Sequence, residues 1–173
     1  MTIQRINPVT LAAPGGHYSH AVVAGGLVFV SGQLPITPSG DRLNQASFDA
    51  QARQVLSNVA AALTAAGTGV AKLVQVRVYV TDIAHWPAFN QIYADWAGDS
   101  RPARAVVPVP LLHHGFLIEV EAVAMQWSKT EAGNLTVRTS PQTQARPGDA
   151  VGLKIQPARV SWFDAGEGEV VND

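Results

Sequence analysis

The 173-residue chain has no cysteine. That excludes disulfide staples, thiolate metal sites and a cysteine nucleophile together, and it fits a reducing compartment. Charge is scarce as well. Charged residues make up 14% of the sequence, and 12 basic against 13 acidic side chains leave a net −1. A protein that holds nucleic acid by neutralising phosphates needs a basic face, which this balance argues against. No run approaches the ~20 apolar residues of a membrane helix. Residues 1–16 carry one Arg and no apolar core, so they do not read as a secretory signal. The default expectation is a cytoplasmic protein with neither nucleic acid nor membrane as partner. Two common catalytic signatures are also missing. Gly15-Gly16 and Gly25-Gly26 lack the helix and Lys of a phosphate loop, and no G-x-S-x-G elbow is present.

What is present is apolar material, at 47%, enough for one real core. Residues 2–6 alternate weakly and suggest a short edge strand. From His17 the chain becomes strand-like. Residues 21–24 and 27–31 flank Gly25-Gly26 and read as a hairpin. Residues 35–41 (PITPSGD) are a loop. Ser47 caps a helix running to about residue 66, with Asp49 in its first turn and Val55, Val59 and Leu63 along one stripe. Gly67 ends it. Residues 70–81 place Val74, Val76, Val78 and Val80 against Gln75, Arg77 and Tyr79, a half-buried strand. A second helix begins at Asp82 or Ile83 and covers residues 86–97. Residues 105–109 form a strand that Pro108 assigns to an edge or bulge. Residues 111–115 turn, and residues 116–125 are the last strand. The order β, β, β, α, β, α, β, β implies an α+β domain, a mixed sheet with two helices on one face. After Lys129 the composition shifts to Thr, Pro, Gly and charge. The boundary falls near 130, with short β-like runs at 135–138, 150–155 and 159–163.

Few residues stand out chemically. Arg104 sits where a loop enters an apolar strand, and a guanidinium fork matches a carboxylate; on position alone a surface salt bridge is the commoner explanation for such an Arg. Glu119 and Glu121 share one face of the last strand. Either is a buried acid–base group with a raised pKa, or both belong to structural ion pairs with Arg77 or Arg104. The pairs His17/His20 and His113/His114 match no metal-ligand spacing, so no metal is expected.

Several strings resemble the RidA/YjgF family of enamine/imine deaminases, in that family's order and spacing. They are Gly16-His17-Tyr18-Ser19-His20-Ala21, Leu27-Val28-Phe29-Val30-Ser31-Gly32-Gln33, the helix stretch 51–59, Asn90-Gln91-Ile92-Tyr93, Arg101-Pro102-Ala103-Arg104 and Ile118-Glu119-Val120-Glu121-Ala122-Val123-Ala124. The resemblance spans residues 14–124. It implies a chorismate-mutase-like fold assembled as a homotrimer around a barrel-like core, with three clefts between subunits. It implies hydrolysis of 2-enamino or 2-imino acids to 2-keto acids and ammonia without a cofactor. By the same resemblance Arg104 clamps the substrate carboxylate, Glu119 positions or activates water, and Tyr18 lines the pocket. Ser31 and Gly32 form a turn that contacts substrate, and Asn90 flanks the pocket. The alternative from another class is a non-catalytic protein that binds small carboxylates in the same clefts.

Two departures bear on the substrate. Val106 stands where relatives often carry Cys, and Leu111-Leu112-His113-His114-Gly115 replaces a Leu-Pro-Lys-Asp type turn. His113 or His114 is thus either a cleft or a rim residue. Residues 130–173 lie outside the family, and part of them resembles the closing strands of a TOBE domain.

Overall fold

Gly25 and Gly26 take φ of 60° and 77°, the left-handed pair that a two-residue hairpin turn requires and that side chains resist. They join β2 (Ala21–Ala24) to β3 (Leu27–Gln33). The computed structural model describes residues 2–127. The expected β-like runs and the TOBE-like stretch lie outside the described residues. Strand β1 (Gln4–Ile6) pairs with β2, and residues 17–20, expected to be strand-like, instead form a bent loop before β2 begins.

Helix α1 (Phe48–Ala65) starts where Ser47 Oγ accepts the Ala50 N–H at 3.3 Å. It ends at Gly67, whose φ is 74°. There Gly67 N–H reaches Thr64 O and Thr68 N–H reaches Leu63 O, both at 3.0 Å, so the last carbonyls are satisfied by the chain's own turn. A 3-10 turn at Val70–Lys72 leads into β4 (Leu73–Val80). Asp82 caps a second 3-10 turn (Ile83–His85), accepting the Ala84 N–H at 2.8 Å, and α2 (Trp86–Ala97) follows. Strand β5 (Ala103–Pro108) and β6 (Ile118–Met125) complete the domain, with a 3-10 turn at His113–Gly115 between them.

The six strands form one sheet in the order β1-β2-β3-β6-β4-β5. Only β4 and β5 run parallel; the other pairs are antiparallel. Pro108 is tolerated because β5 is an edge strand and needs no N–H there. Both helices cover one face, α1 lying on β3 and β6 with α2 beside it. Val55, Leu56, Val59 and Leu63 of α1 join Val28, Val76, Val78, Val120 and Phe89 in the buried core. Each such side chain contributes about 1.5–3 kcal/mol by leaving water. No helix among the described residues is long and apolar enough to cross a membrane.

Two bulges decide which strand residues face the open side of the sheet. Between Leu73 and Gln75 the β4–β6 register slips. Val74 is thereby turned outward, 44% exposed, although alternation groups it with the buried Val76, Val78 and Val80. Between Val30 and Gln33 the β3–β6 register slips again, which re-aims Ser31 and Gly32. Asn58 of α1 ties down the loop beyond β3: its Nδ2 donates to Leu34 O and Ile36 O, both at 2.9 Å, and its Oδ1 accepts from Gln54 Nε2.

Candidate active site

The uncovered face of the sheet separates the two glutamates. Arg77 and Tyr79 of β4 lie opposite Glu121 and Glu119 of β6. Arg77 Nη1 donates to Glu121 Oε1 at 2.9 Å, and Tyr79 Oη donates to the same oxygen at 3.1 Å. Glu121 is therefore the structural ion-pair member. The hydrogen bond and charge of Glu121 raise the Arg77 pKa; burial first, then the Glu121 bond, raises that of Tyr79.

Glu119 is different. Among the described residues it has no hydrogen-bond or ion-pair partner. Burial pushes its carboxyl above the ordinary range, the His113 imidazole partly offsets this, and Glu121 adds to it. It lines a cleft of about 710 Å³ together with Tyr18, Ser31, Gly32, His113 and His114. The bulge in β3 is what makes room for it. A Cβ built on Gly32 would overlap Glu119 Oε1 and lie 3.0 Å from its Cδ. Gly32 thus serves as the floor under the carboxylate. Because its φ is not in the left-handed region, Gly32→Ala should keep the fold and displace the mobile carboxylate instead. The expected result is an unchanged circular dichroism spectrum with turnover lowered by about 10²-fold, the scale of a misplaced reacting group. A folded variant with full activity would show that Glu119 does not act from this position.

The loop before β2 supplies the opposite wall. Ser31 Oγ donates to Ser19 O at 2.7 Å, and Ser31 N–H donates to His20 O at 3.0 Å. The hydroxyl hydrogen is thus committed to the loop that carries Tyr18, and Ser31 itself also lines the cleft. Tyr18 is about half exposed, with its hydroxyl accepting the Gly15 N–H at 3.3 Å and its ring edge-on to His20. His20 is buried with Nε2 2.8 Å from Ala12 O. That carbonyl only accepts, so Nε2 carries the hydrogen. Among the described residues no group of three or more His, Cys, Asp or Glu side chains is arranged to hold a metal.

Arg104 and Asn90 lie elsewhere in the chain. Arg104 pairs in register with Val76, whose side chain is buried under the helices. Its Nη2 donates to Asn90 Oδ1 at 2.7 Å, and its guanidinium sits 4.5 Å from the centre of the Tyr93 ring. Burial raises the Tyr93 pKa and Arg104 lowers it. Glu119 pairs with Tyr79, three residues further along β4. Three residues is an odd number, so Arg104 and Glu119 project from opposite faces, about 10 Å apart along β4 and about 10 Å across two strand spacings. One chain brings together Tyr18, Ser31, Gly32 and Glu119, and separately Asn90 and Arg104. It does not join the two sets.

Sequence reasoning leaves His113 and His114 open between cleft and rim; the structure puts both in the cleft. His114 reaches it through a left-handed backbone (φ 59°), and its carbonyl accepts from Asn44 Nδ2 at 3.1 Å. Arg42, also in the cleft wall, escapes sequence reasoning, because its loop position alone carries no signal.

Residues 10–126 match the family model described as endoribonuclease L-PSP. The chain is similar to the human 2-iminobutanoate/2-iminopropanoate deaminase, 37% identical over 125 residues that span 71% of this chain and 91% of the relative. A RutC family protein of Pyrococcus horikoshii is 40% identical over 64% of this chain and 88% of its own. Among solved structures, E. coli TdcF with bound serine superposes with a TM-score of 0.67 at 31% identity, covering 72% of this chain and 99% of that one.

Proposed function

The chain belongs to the endoribonuclease L-PSP family, and from that premise we propose that it hydrolyses 2-imino and 2-enamino acids to 2-keto acids and ammonia. The observation that carries this reading is Glu119: a half-buried carboxyl without a partner, in a cleft, with its pKa raised. Unpaired buried acids are costly, and they concentrate where proton transfer is done. The name of the human relative and the serine bound to E. coli TdcF support a small carboxylate as the ligand class. RNA cleavage, the activity in the family's description, calls for a basic face. Residues 2–127 hold seven basic and seven acidic side chains.

In the proposed reaction an enamine first accepts a proton at carbon from Glu119, giving the iminium. Glu119, now ionised, takes a proton from water as the oxygen adds to the C=N carbon. The carbinolamine collapses after the nitrogen receives that proton. Iminium plus water gives keto acid plus ammonium, and Glu119 regains from solvent the proton it gave to the enamine carbon. Arg104 holds the substrate carboxylate and turns an encounter into a positioned attack. No cofactor enters the scheme.

Arg104 and Glu119 lie on opposite faces of one chain, so a site using both takes them from two copies. Phe29, Val107 and Val123 on the uncovered sheet face supply apolar surface for such an assembly, which we read as a homotrimer with Arg104 from one subunit facing Glu119 and Tyr18 of the next. The test is a coupled assay in which a PLP dehydratase generates 2-iminobutanoate in place. Accelerated release of 2-oxobutanoate is expected. Binding of 2-oxobutanoate without acceleration would instead indicate a non-catalytic carboxylate-binding protein.

A further inference from the structure

The cleft contains a cation that the hydrolysis leaves unused. Arg42 follows the turn Thr37–Asp41 and is held by a single bridge to Ile36. Its base is stiff: Thr37 N–H donates to Asp41 O and Gly40 N–H to Thr37 O, both at 2.9 Å, and Leu43 N–H donates to Pro35 O at 3.0 Å. The acid beside it in sequence is occupied. Asp41 Oδ2 accepts from Ser39 Oγ at 2.6 Å and from Thr37 Oγ1 at 3.3 Å, which turns that carboxylate into its own loop. Among the described residues Arg42 has no hydrogen bond or ion pair. A guanidinium stays charged and offers a planar fork to an anion.

The charge of the cleft then does not balance. Arg42 and Glu119 are its only Arg, Lys, Asp or Glu side chains among the described residues. In the two-copy site Arg104 adds a second guanidinium, which the 2-carboxylate of the substrate occupies. Arg42 is exposed in the cleft wall, so two guanidinium groups and one acid line the two-copy site, and the ionised form of that acid is already disfavoured by burial. That excess of positive charge calls for a substrate with a second anionic group at the Arg42 end of the cleft.

We propose that Arg42 is a specificity-determining residue that binds the side-chain carboxylate of a 2-imino dicarboxylic acid, the product of two-electron oxidation of an acidic amino acid at its α-carbon. This rests on the hydrolase reading and names its substrate class. The test compares imines generated in place by amino-acid oxidases from aspartate or glutamate with the imine from alanine. Wild type is expected to show a kcat/KM at least about ten-fold higher for the dicarboxylates. Arg42→Gln should lower that ratio about ten-fold, as the loss of one charge-assisted contact does, and Arg42→Lys should restore part of it. An unchanged ratio in Arg42→Gln overturns the proposal. Calorimetric binding of 2-oxoglutarate against 2-oxobutanoate gives a second reading that does not depend on turnover. If no imine is hydrolysed faster, the hydrolase reading fails, yet a preference for 2-oxoglutarate that Arg42→Gln abolishes still supports the site. Equal affinities in wild type would overturn it.

Discussion

Arg104→Ala is expected to lower kcat/KM by roughly 10²-fold or more, since two charge-assisted hydrogen bonds to a carboxylate are worth about 1.5–3 kcal/mol each. The loss should fall mainly on KM for the imine and on affinity for the 2-keto acid product. The fold should survive, because Arg104 is only partly buried on an edge strand. The sharper form of this prediction uses two inactive proteins. Within one chain Arg104 and Glu119 are on opposite faces of the sheet. Co-expressing Arg104→Ala with Glu119→Gln should therefore return activity. In a closed ring of three, every mixed assembly places an intact Arg104 against an intact Glu119 once, so with equal random mixing about a quarter of all sites recover. Light scattering on the same sample reports the assembly. Mixed particles that stay as inactive as either parent would mean that the site is not shared between copies.

Glu119→Gln carries the second large effect. Turnover should fall by about 10²–10⁴-fold, the range for losing a positioned acid–base group. In wild type, kcat/KM for a 2-imino acid, which meets Glu119 as the base, should decline on the acid side through a pKa above the ordinary glutamate value of about 4.3, because burial raises it. That limb should be absent from the residual activity of the glutamine variant. Stability gives an independent check. A carboxyl whose pKa is higher in the folded state favours folding below its unfolded pKa, and that contribution is lost as pH rises through the folded value. At neutral pH the ionised Glu119 therefore works against the fold. Glu119→Gln should melt at the same or a higher temperature than wild type near pH 7, with the difference shrinking toward pH 4. A variant that is inactive because it is less stable at neutral pH would contradict an acid kept for chemistry.

Alternation of Val76, Val78 and Val80, the Ser47 cap, the Gly67 stop and the Gly25-Gly26 turn are local rules. Each depends on a few neighbouring residues, and each is legible in the sequence alone. Pro108 also announces an edge strand, since a missing N–H excludes an interior ladder position. Val74 misleads because a bulge shifts the parity of everything on one side of it, and bulges come from pairing with another strand. The same holds for Gly32, whose importance lies in the space under the side chain of the distant Glu119. Strand periodicity could not separate Glu119 from Glu121, as both sit on one face, and only the family resemblance pointed to Glu119. Tertiary structure decided it, because Arg77 and Tyr79 reach only Glu121.

The sequence by itself thus determined the elements, their order and the chemical candidates, since these come from period, capping and residue type. What only the tertiary structure decided is which candidates share a site. Strand parity puts Arg104 under the helices and Glu119 on the open face, and a cleft closed by distant loops adds Arg42, His113 and His114. Those placements depend on register between strands far apart in the chain, which no local pattern records.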